Sequence, residues 1–224
     1  KNLESRSITV NRGKCLGGSS SINGMVYIRG NKNDYDNWAA LGCKGWSYED
    51  VLPVFKKLEN NNAGGDSKYH GFDGELSVVA PQDANASGKR FISAGAEIGL
   101  SQNPDFNSES QIGLGIYNVT QSNGTRVSSY TAFLEPILSR DNLTILTNTT
   151  VSTLDILGEK VTSINIKTNG VDKKISFNKE VVVCSGAIDS PRLLLASGIG
   201  DKDELQNLGI TCNNNLPGVG KNLQ

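Results

Sequence analysis

Apolar and polar residues alternate most clearly in the second half of the chain, where they predict three strands, at residues 151–157, 161–168 and 171–177. Residues 158–160 link the first pair. Asn169-Gly170, a dipeptide typical of type I′ hairpin turns, links the second pair. The pattern therefore predicts an antiparallel meander, with a further short strand at residues 143–147.

A continuous apolar run follows the meander. Residues 180–185, EVVVCS, predict a strand buried on both faces, as in a parallel sheet. Gly186-Ala187 turns this strand into a helix with Pro191 near its start and leucines 193–195 inside. A parallel-type strand with a glycine turn at its carboxyl end indicates an open α/β sheet, in which ligands lie at the carboxyl ends of the strands.

The first half of the chain is less regular. Ser47 with Asp50 predicts a capping box for a helix over residues 48–59. Asn33 or Asp34 can begin a shorter helix before it, and Ser87 a later one that runs to about residue 99 with Phe91, Ala94, Gly95 and Ile98 inward. Residues 75–80 and 115–121 predict strands, and residues 128–138 a short helix. Residues 60–74 predict a polar connector, either a lid, a surface loop or a disordered segment.

Composition and charge exclude several classes of function. The chain has 224 residues, a net charge of −1 and 25 glycines. This charge gives no general electrostatic reason to bind nucleic acid. No apolar run reaches the roughly 18 residues of a transmembrane span. The four cysteines include no C-x-x-C pair, so neither a zinc site nor a disulfide framework is indicated.

Residues 12–30, RGKCLGGSSSINGMVYIRG, are too rich in glycine and serine for a packed core. Gly13, Gly17 and Gly18 lack a Cβ where the backbone must turn tightly or approach a ligand. The N–H groups of the serines that follow can face an anion if the chain curls into a nest. This layout is that of a phosphate or dinucleotide cradle. The spacing is neither G-x-G-x-x-G nor G-x-x-x-x-G-K-[ST], so the same run also fits an ordinary loop.

Two long motifs resemble those of one enzyme family. The run at residues 12–30, followed by DYDNWAALG and GWSYEDVLPVFKK, is similar to the first signature of the glucose–methanol–choline (GMC) flavin oxidoreductases, nearest to the choline and alcohol dehydrogenase branch. Residues 186–200 match the family's second signature, G-A-x-x-S-P-x-L-L-x-x-S-G-I-G, without a departure. The two motifs lie far apart and in the family's order, which chance does not produce.

The resemblance implies a mixed α/β fold. It comprises an FAD-binding doubly wound sheet with an inserted antiparallel meander, and part of an antiparallel-sheet substrate domain. Residues 1–74 and 141–224 would be segments of the FAD domain, and residues 75–140 a segment of the substrate domain. The chain begins without methionine and stops where family sequences continue. We therefore expect an internal piece of a longer protein.

The resemblance also implies which residues meet FAD. The backbone at Cys15, Gly17, Gly18 and Ser19 would lie along the pyrophosphate and flavin. The isoalloxazine ring would lie against Asn23, Gly24, Met25 and Val26. Val151 matches a position whose main chain meets the adenine, and the cofactor would also pass near Ser185, Gly186 and Ala187. Each of these positions has a structural alternative: a turn cap at Asn23, an ordinary strand valine at Val151, and turn geometry at residues 185–187.

The implied activity is oxidation of a small-molecule alcohol, in which a base takes the hydroxyl proton and flavin N5 accepts the hydride. Some family members hold FAD through a histidine, but this chain has Ile22 there, so we expect non-covalent FAD. The single histidine, His70, lies in a glycine-flanked turn and is a poor candidate for the base. The family's His–His or His–Asn pair lies further downstream, so no catalytic residue and no metal ligand is assigned.

Two alternatives keep other functions open. Some family members are hydroxynitrile lyases, which bind FAD without using its redox chemistry. A non-catalytic module, in which the glycine loop only builds a turn, is the other alternative. The electron acceptor is also left open.

Overall fold

The computed structural model describes residue 4, residues 6–82 and residues 85–223, in two compact units, Lys1–Leu143 and Thr144–Gln224. The first residues of the predicted 1–74 segment lie outside the described part. The first unit contains α1 (Lys32–Ala40), α2 (Tyr48–Leu58), β1 (Glu59–Asn61), β2 (Leu76–Val78), α3 (Ala86–Glu97), β3 (Gln121–Ser122) and β4 (Thr125–Arg126). The second contains β5 (Thr149–Leu157), β6 (Lys160–Thr168), β7 (Val171–Ser176), α4 (Gly186–Ala196), β8 (Ile199–Gly200), α5 (Lys202–Asn207) and β9 (Asn214–Asn215).

Helices α1 and α2 both begin at capping boxes. The Ser47 side chain accepts from the Asp50 N–H and the Asp50 side chain from the Ser47 N–H, so the predicted start of α2 is confirmed. The cap of α1 is Asn31, paired with Asp34, and lies earlier than predicted. The two helices pack through aromatic rings: the centroid of Tyr35 lies 6.3 Å from that of Tyr48 and 5.6 Å from that of Phe55.

The connector at residues 60–74 is mostly an exposed irregular loop, as the surface-loop alternative predicts, but Tyr69 and His70 within it are buried. β1 pairs in parallel with β2, with Glu59 opposite Leu76. The side chains of Glu59 and His70 are buried, and the two residues are 0% and 2% exposed. They are buried because they hydrogen-bond to each other and Glu59 also pairs with Arg29. Composition alone does not reveal hydrogen bonds and ion pairs that allow polar side chains to be buried.

Helix α3 differs from its prediction in its cap and in its buried face. Its N-cap is Asn85 instead of Ser87. Phe91 and Ile98 are 67% and 78% exposed and Ala94 is also exposed, so Gly95 alone of the predicted inward residues is buried. An added Cβ at Gly95 would lie 2.0 Å from Leu114 Cδ1. Leu114 therefore packs against α3 at Gly95, whereas Phe91 and Ile98 on either side of it remain exposed.

The remaining part of the first unit is only partly regular. Within the predicted strand at residues 115–121, Val119 bridges both Val26 and Val79, and Gln121 begins the hairpin of β3 and β4. The predicted helix at residues 128–138 is a π-helical turn, Tyr130–Leu134, followed by a 3-10 turn, Glu135–Ile137. Pro136, which lacks an N–H, lies in the second turn and limits continuation of a single α-helix.

The meander of the second unit is confirmed. β6 pairs with β5 on one side and β7 on the other, both antiparallel. Asn169 and Gly170 have φ angles of 49° and 83°, as a type I′ turn requires. Residues 143–147 are not a strand. The core of this unit consists of four residues that are 1% to 5% exposed, Leu154, Ile166, Leu193 and Leu205.

The predicted strand at residues 180–185 does not form. These residues have no strand assignment, and Val182 is 74% exposed. A strand that is apolar on both faces needs neighbours on both sides, and no strand of the described residues pairs with this run. The helix predicted after it is present as α4, with Leu193 buried and Pro191 in its middle, not near its start.

Candidate functional site

The glycine loop (residues 12–26) folds back on itself in the first unit. The Gly13 N–H donates to Ser19 Oγ at 3.2 Å, and an added Cβ at Gly13 would lie 2.1 Å from the Gly18 carbonyl oxygen. Gly17 has a φ of 85°, in the left-handed region, and leads into a 3-10 turn at Gly18–Ser21. The shape of the loop therefore depends on the absence of side chains at Gly13 and Gly17.

A serine clamp (Ser20 and Ser129) holds the turn. Ser20 Oγ donates to the Gly17 carbonyl oxygen at 2.5 Å and accepts from the Ser129 N–H at 2.9 Å. Ser129 Oγ lies 3.1 Å from the same Gly17 oxygen. The turn that carries the predicted cofactor residues is thus bonded to a segment distant in sequence.

Arg126 fixes the second half of the loop. Its Nη1 donates to Asn23 Oδ1 at 2.8 Å and to the Ser20 carbonyl oxygen at 3.1 Å. Asn23 Oδ1 also accepts from the Met25 N–H at 3.0 Å. Met25 has a φ of 62°, which is unusual for a residue other than glycine, and its carbonyl oxygen accepts from the Thr120 N–H at 2.9 Å. Backbone strain held in this way is typical of functional sites.

The loop presents backbone donors without acceptors. Among the described residues, the N–H groups of residues 14–17, Gly24 and Val26 make no hydrogen bond. The Val26 N–H points away from Val119, since that bridge is made by the neighbouring Tyr27 N–H and the Met25 carbonyl. An added Cβ at Gly24 would meet nothing within 4 Å. Free amides beside open space fit an anionic dinucleotide such as FAD.

The predicted site residues fall into two groups. Cys15, Gly17, Gly18, Ser19 and residues 23–26 share the glycine loop of the first unit. The others belong to the second unit, where Val151 is half-buried in β5 and residues 185–187 are exposed at the start of α4. Their contact with a cofactor stays a prediction.

Sequence analysis did not identify Arg126 and Ser129. The signal that could have led to them is Asn123-Gly124, a hairpin dipeptide with φ angles of 51° and 73°. A hairpin at that point places Arg126 on the returning strand β4. The contact of the Arg126 side chain with the glycine loop is a tertiary contact that no local sequence pattern predicts.

A cavity of about 640 Å³ lies elsewhere in the first unit. It is lined by α1, α2 and residues 106–112, with both cationic and acidic side chains, and shares no residue with the glycine loop. Volume alone would favour it as a ligand site. The free amides and the strained backbone are in the glycine loop, and we therefore regard the loop as the cofactor site.

Known oxidoreductases are similar to this chain over its whole length. The alcohol dehydrogenase (acceptor) of Pseudomonas putida is 42% identical over 226 residues, which cover 100% of this chain and 41% of that protein. The oxygen-dependent choline dehydrogenase of Rhizobium johnstonii is 41% identical over 223 residues, 100% of this chain and 40% of that protein. The chain thus spans about 40% of the length of the curated relatives it matches.

Solved structures share the fold. An FAD-dependent oxidoreductase from Chaetomium thermophilum superimposes with a TM-score of 0.91 at 30% identity, over 99% of this chain and 41% of that one. The pyridoxine 4-oxidase of Mesorbium loti gives 0.84 at 35% identity, over 92% and 41%. The predicted α/β class with an FAD-binding fold is confirmed. The GMC oxidoreductase family matches residues 2–224, so the family predicted from the two motifs is confirmed, and the chain belongs to the GMC oxidoreductases.

Proposed function

We propose that this chain supplies the glycine-loop part of an FAD-dependent enzyme that oxidises a small-molecule alcohol. The observation that carries the proposal is the set of unbonded N–H groups in the glycine loop, at residues 14–17, Gly24 and Val26. Family membership supports it, because relatives that match the whole chain are named choline and alcohol dehydrogenases.

The two donor groups of the loop suit two parts of the cofactor. The consecutive amides of residues 14–17 would hold the pyrophosphate, where negative charge is concentrated. The Gly24 and Val26 amides would face the flavin ring and stabilise the negative charge of its reduced form. Bound FAD supplies the redox chemistry, since flavin N5 accepts a hydride as a base takes the hydroxyl proton. Ile22 offers no nucleophile, which supports non-covalent binding.

We infer that His70 is not the base. This residue is 2% exposed, and both of its ring nitrogens are hydrogen-bonded to carboxylates, at 3.0 and 2.8 Å. A general base needs hydrogen-bond access to the substrate hydroxyl, and a buried imidazole with both nitrogens engaged has none. This supports the proposal that the base lies outside this chain.

The domain division is also a proposal. Residues 1–74 and 141–224 would belong to the FAD domain and residues 75–140 to the substrate domain. The position of the glycine loop in the first segment supports this assignment, as does the presence of the meander in the third. Among the described residues, no helix is both long and apolar enough to cross a bilayer.

Anaerobic reduction by alcohols tests the proposed activity. The full-length protein would be purified with its flavin, freed of oxygen and mixed with choline, pyridoxine, and aliphatic and aromatic alcohols. We expect at least one to bleach the oxidised flavin band at about 450 nm. A flavin that stays oxidised with every alcohol, while dithionite reduces it, would contradict the proposed oxidation and favour a lyase-type function. A colourless protein that takes up no added FAD would favour a non-catalytic module.

A further inference from the structure

A buried charge cluster (Arg29, Glu59, His70 and Asp105) lies just beyond the glycine loop. His70 Nδ1 is 3.0 Å from Glu59 Oε1, and His70 Nε2 is 2.8 Å from Asp105 Oδ2. Arg29 Nη2 donates to Glu59 Oε2 at 2.8 Å. Arg29, Glu59 and His70 are 8%, 0% and 2% exposed. The Asp105 side chain is 18% exposed, so water reaches the cluster mainly at Asp105.

The hydrogen bonds around His70 favour its protonated form. An ionised carboxylate only accepts hydrogen bonds, whereas a neutral imidazole has one donor and one acceptor nitrogen. Glu59 also accepts from Arg29 and from the Gly71 N–H. Asp105 likewise accepts from the Asn107 N–H. Two ionised carboxylates can only accept, so both ring nitrogens of His70 donate in its imidazolium form, and the cluster then contains two positive and two negative charges.

The cluster is bonded to residues 27–29, the segment that follows the glycine loop. Asp105 Oδ1 accepts from the Asn107 N–H at 2.9 Å. The Asn107 side chain in turn accepts from the Arg29 N–H at 2.8 Å and donates to the Tyr27 carbonyl oxygen at 3.1 Å. Arg29 Nη1 donates to the Tyr69 carbonyl oxygen at 2.7 Å. Residues 27–29 are thus held through main chain and side chain directly after the strained Met25.

We propose that His70 is a positioning residue, and that the proton it carries determines how firmly residues 25–30, and with them the flavin-facing end of the glycine loop, are held. The part that concerns the cofactor rests on the proposed function. When His70 loses a proton, one ring nitrogen presents a lone pair to a carboxylate. The bond to Glu59 or to Asp105 is then lost, and the hold of Arg29 or Asn107 on residues 27–29 loosens.

The pH dependence has a definite sign. Burial lowers the pKa of His70, but the hydrogen bonds and charges of Glu59 and Asp105 outweigh it, so the pKa is raised above its ordinary value of 6.5. These two carboxylates, one on β1 and one on the loop after α3, face the ring, and Arg29 acts through Glu59. Because the pKa is raised, His70 donates to both carboxylates below pH 6.5. One of these hydrogen bonds is lost as the pH rises through the raised pKa.

A neutral isostere separates this effect from simple structural loss. In Asp105→Asn the amide nitrogen can donate to a neutral His70 Nε2, while the amide oxygen still accepts from the Asn107 N–H. The variant keeps the bridge and removes the need for the proton. The readout is hydrogen–deuterium exchange of residues 25–30 in the full-length protein, corrected for intrinsic exchange, from about pH 6 to about pH 9. The dissociation constant of FAD is measured over the same range.

We expect the protection of residues 25–30 against exchange to fall in the wild-type protein as the pH rises. The total fall should be about tenfold for each pH unit by which the His70 pKa lies above 6.5. FAD binding should weaken in parallel. In Asp105→Asn neither the protection of residues 25–30 nor the affinity for FAD should change with pH. The same should hold for His70→Gln, although its protection should be lower at every pH. His70→Gln replaces Asp105→Asn in the test if Asp105→Asn does not fold. A flat wild-type profile, or an equal fall in Asp105→Asn, would overturn the proposal. Exchange that changes without any change in FAD affinity would overturn the positioning role. If the protein binds no FAD, the proposed function fails while exchange still tests the hold on residues 25–30.

Discussion

At the scale of single residues, the glycine loop is shaped by small polar groups. Asn23 Oδ1 accepts from both the Met25 N–H and Arg126, and Ser20 bonds to Gly17 and Ser129. The motif in the sequence predicts that the loop residues lie at a cofactor site. It could not give Arg126, which is 103 residues from Asn23 in the chain, because that contact depends on how β4 packs.

Replacement of Arg126 by methionine should weaken FAD binding. The change removes the donors to Asn23 and to the Ser20 carbonyl oxygen and leaves Met25 free to relax from its left-handed conformation. We expect an increase of about tenfold in the dissociation constant of FAD, as for the loss of one hydrogen bond to a charged group. The measurement is a fluorescence titration of the full-length apoprotein.

Arg140→Met is the matched control, since Arg140 is exposed and lies outside the loop contacts. It should leave FAD binding unchanged. Equal affinities of wild type and Arg126→Met would show that Arg126 does not position the loop.

At the scale of elements, sequence patterns predict a strand correctly when its pairing partners are adjacent to it in the sequence. The meander was predicted because each strand pairs with the next one in sequence across a short turn. The strand at residues 180–185 was predicted wrongly, because an apolar run forms a strand only when partners are present. The surface loop within residues 60–74 is predicted from composition, but the burial of His70 in it is not, because its partner Asp105 is distant in sequence, as is the Arg29 that pairs with Glu59.

The turn between β6 and β7 should be sensitive to a side chain at Gly170. Its φ of 83° is unfavourable for alanine, so Gly170→Ala should destabilise the protein by about 1 to 2 kcal/mol. Asn169→Gly is the control, because glycine accepts the φ of 49° at that position. The midpoint of urea unfolding should fall for Gly170→Ala and stay close to wild type for Asn169→Gly. Equal midpoints for all three proteins would contradict a strict type I′ turn.

At the scale of the whole molecule, the family was predictable from sequence because two long motifs carry it, and residues 2–224 match that family. The two units each contain part of the predicted cofactor contacts, the glycine loop in Lys1–Leu143 and residues 151 and 185–187 in Thr144–Gln224. The central claim of this account is that the backbone of the glycine loop contacts FAD in the full-length enzyme.

Flavin content of Gly24→Ala in the full-length protein tests that claim most directly. Gly24 has ordinary backbone angles and open space around it, so alanine there is compatible with the fold. Gly88→Ala, on α3, is the matched control, since its added methyl makes only an ordinary contact of 3.6 Å with Ile116. We predict that Gly24→Ala folds with the thermal stability of the wild-type apoprotein but binds FAD at least about tenfold more weakly, while Gly88→Ala keeps its flavin. Full flavin occupancy and unchanged affinity in Gly24→Ala would contradict the assignment of the glycine loop as the cofactor site.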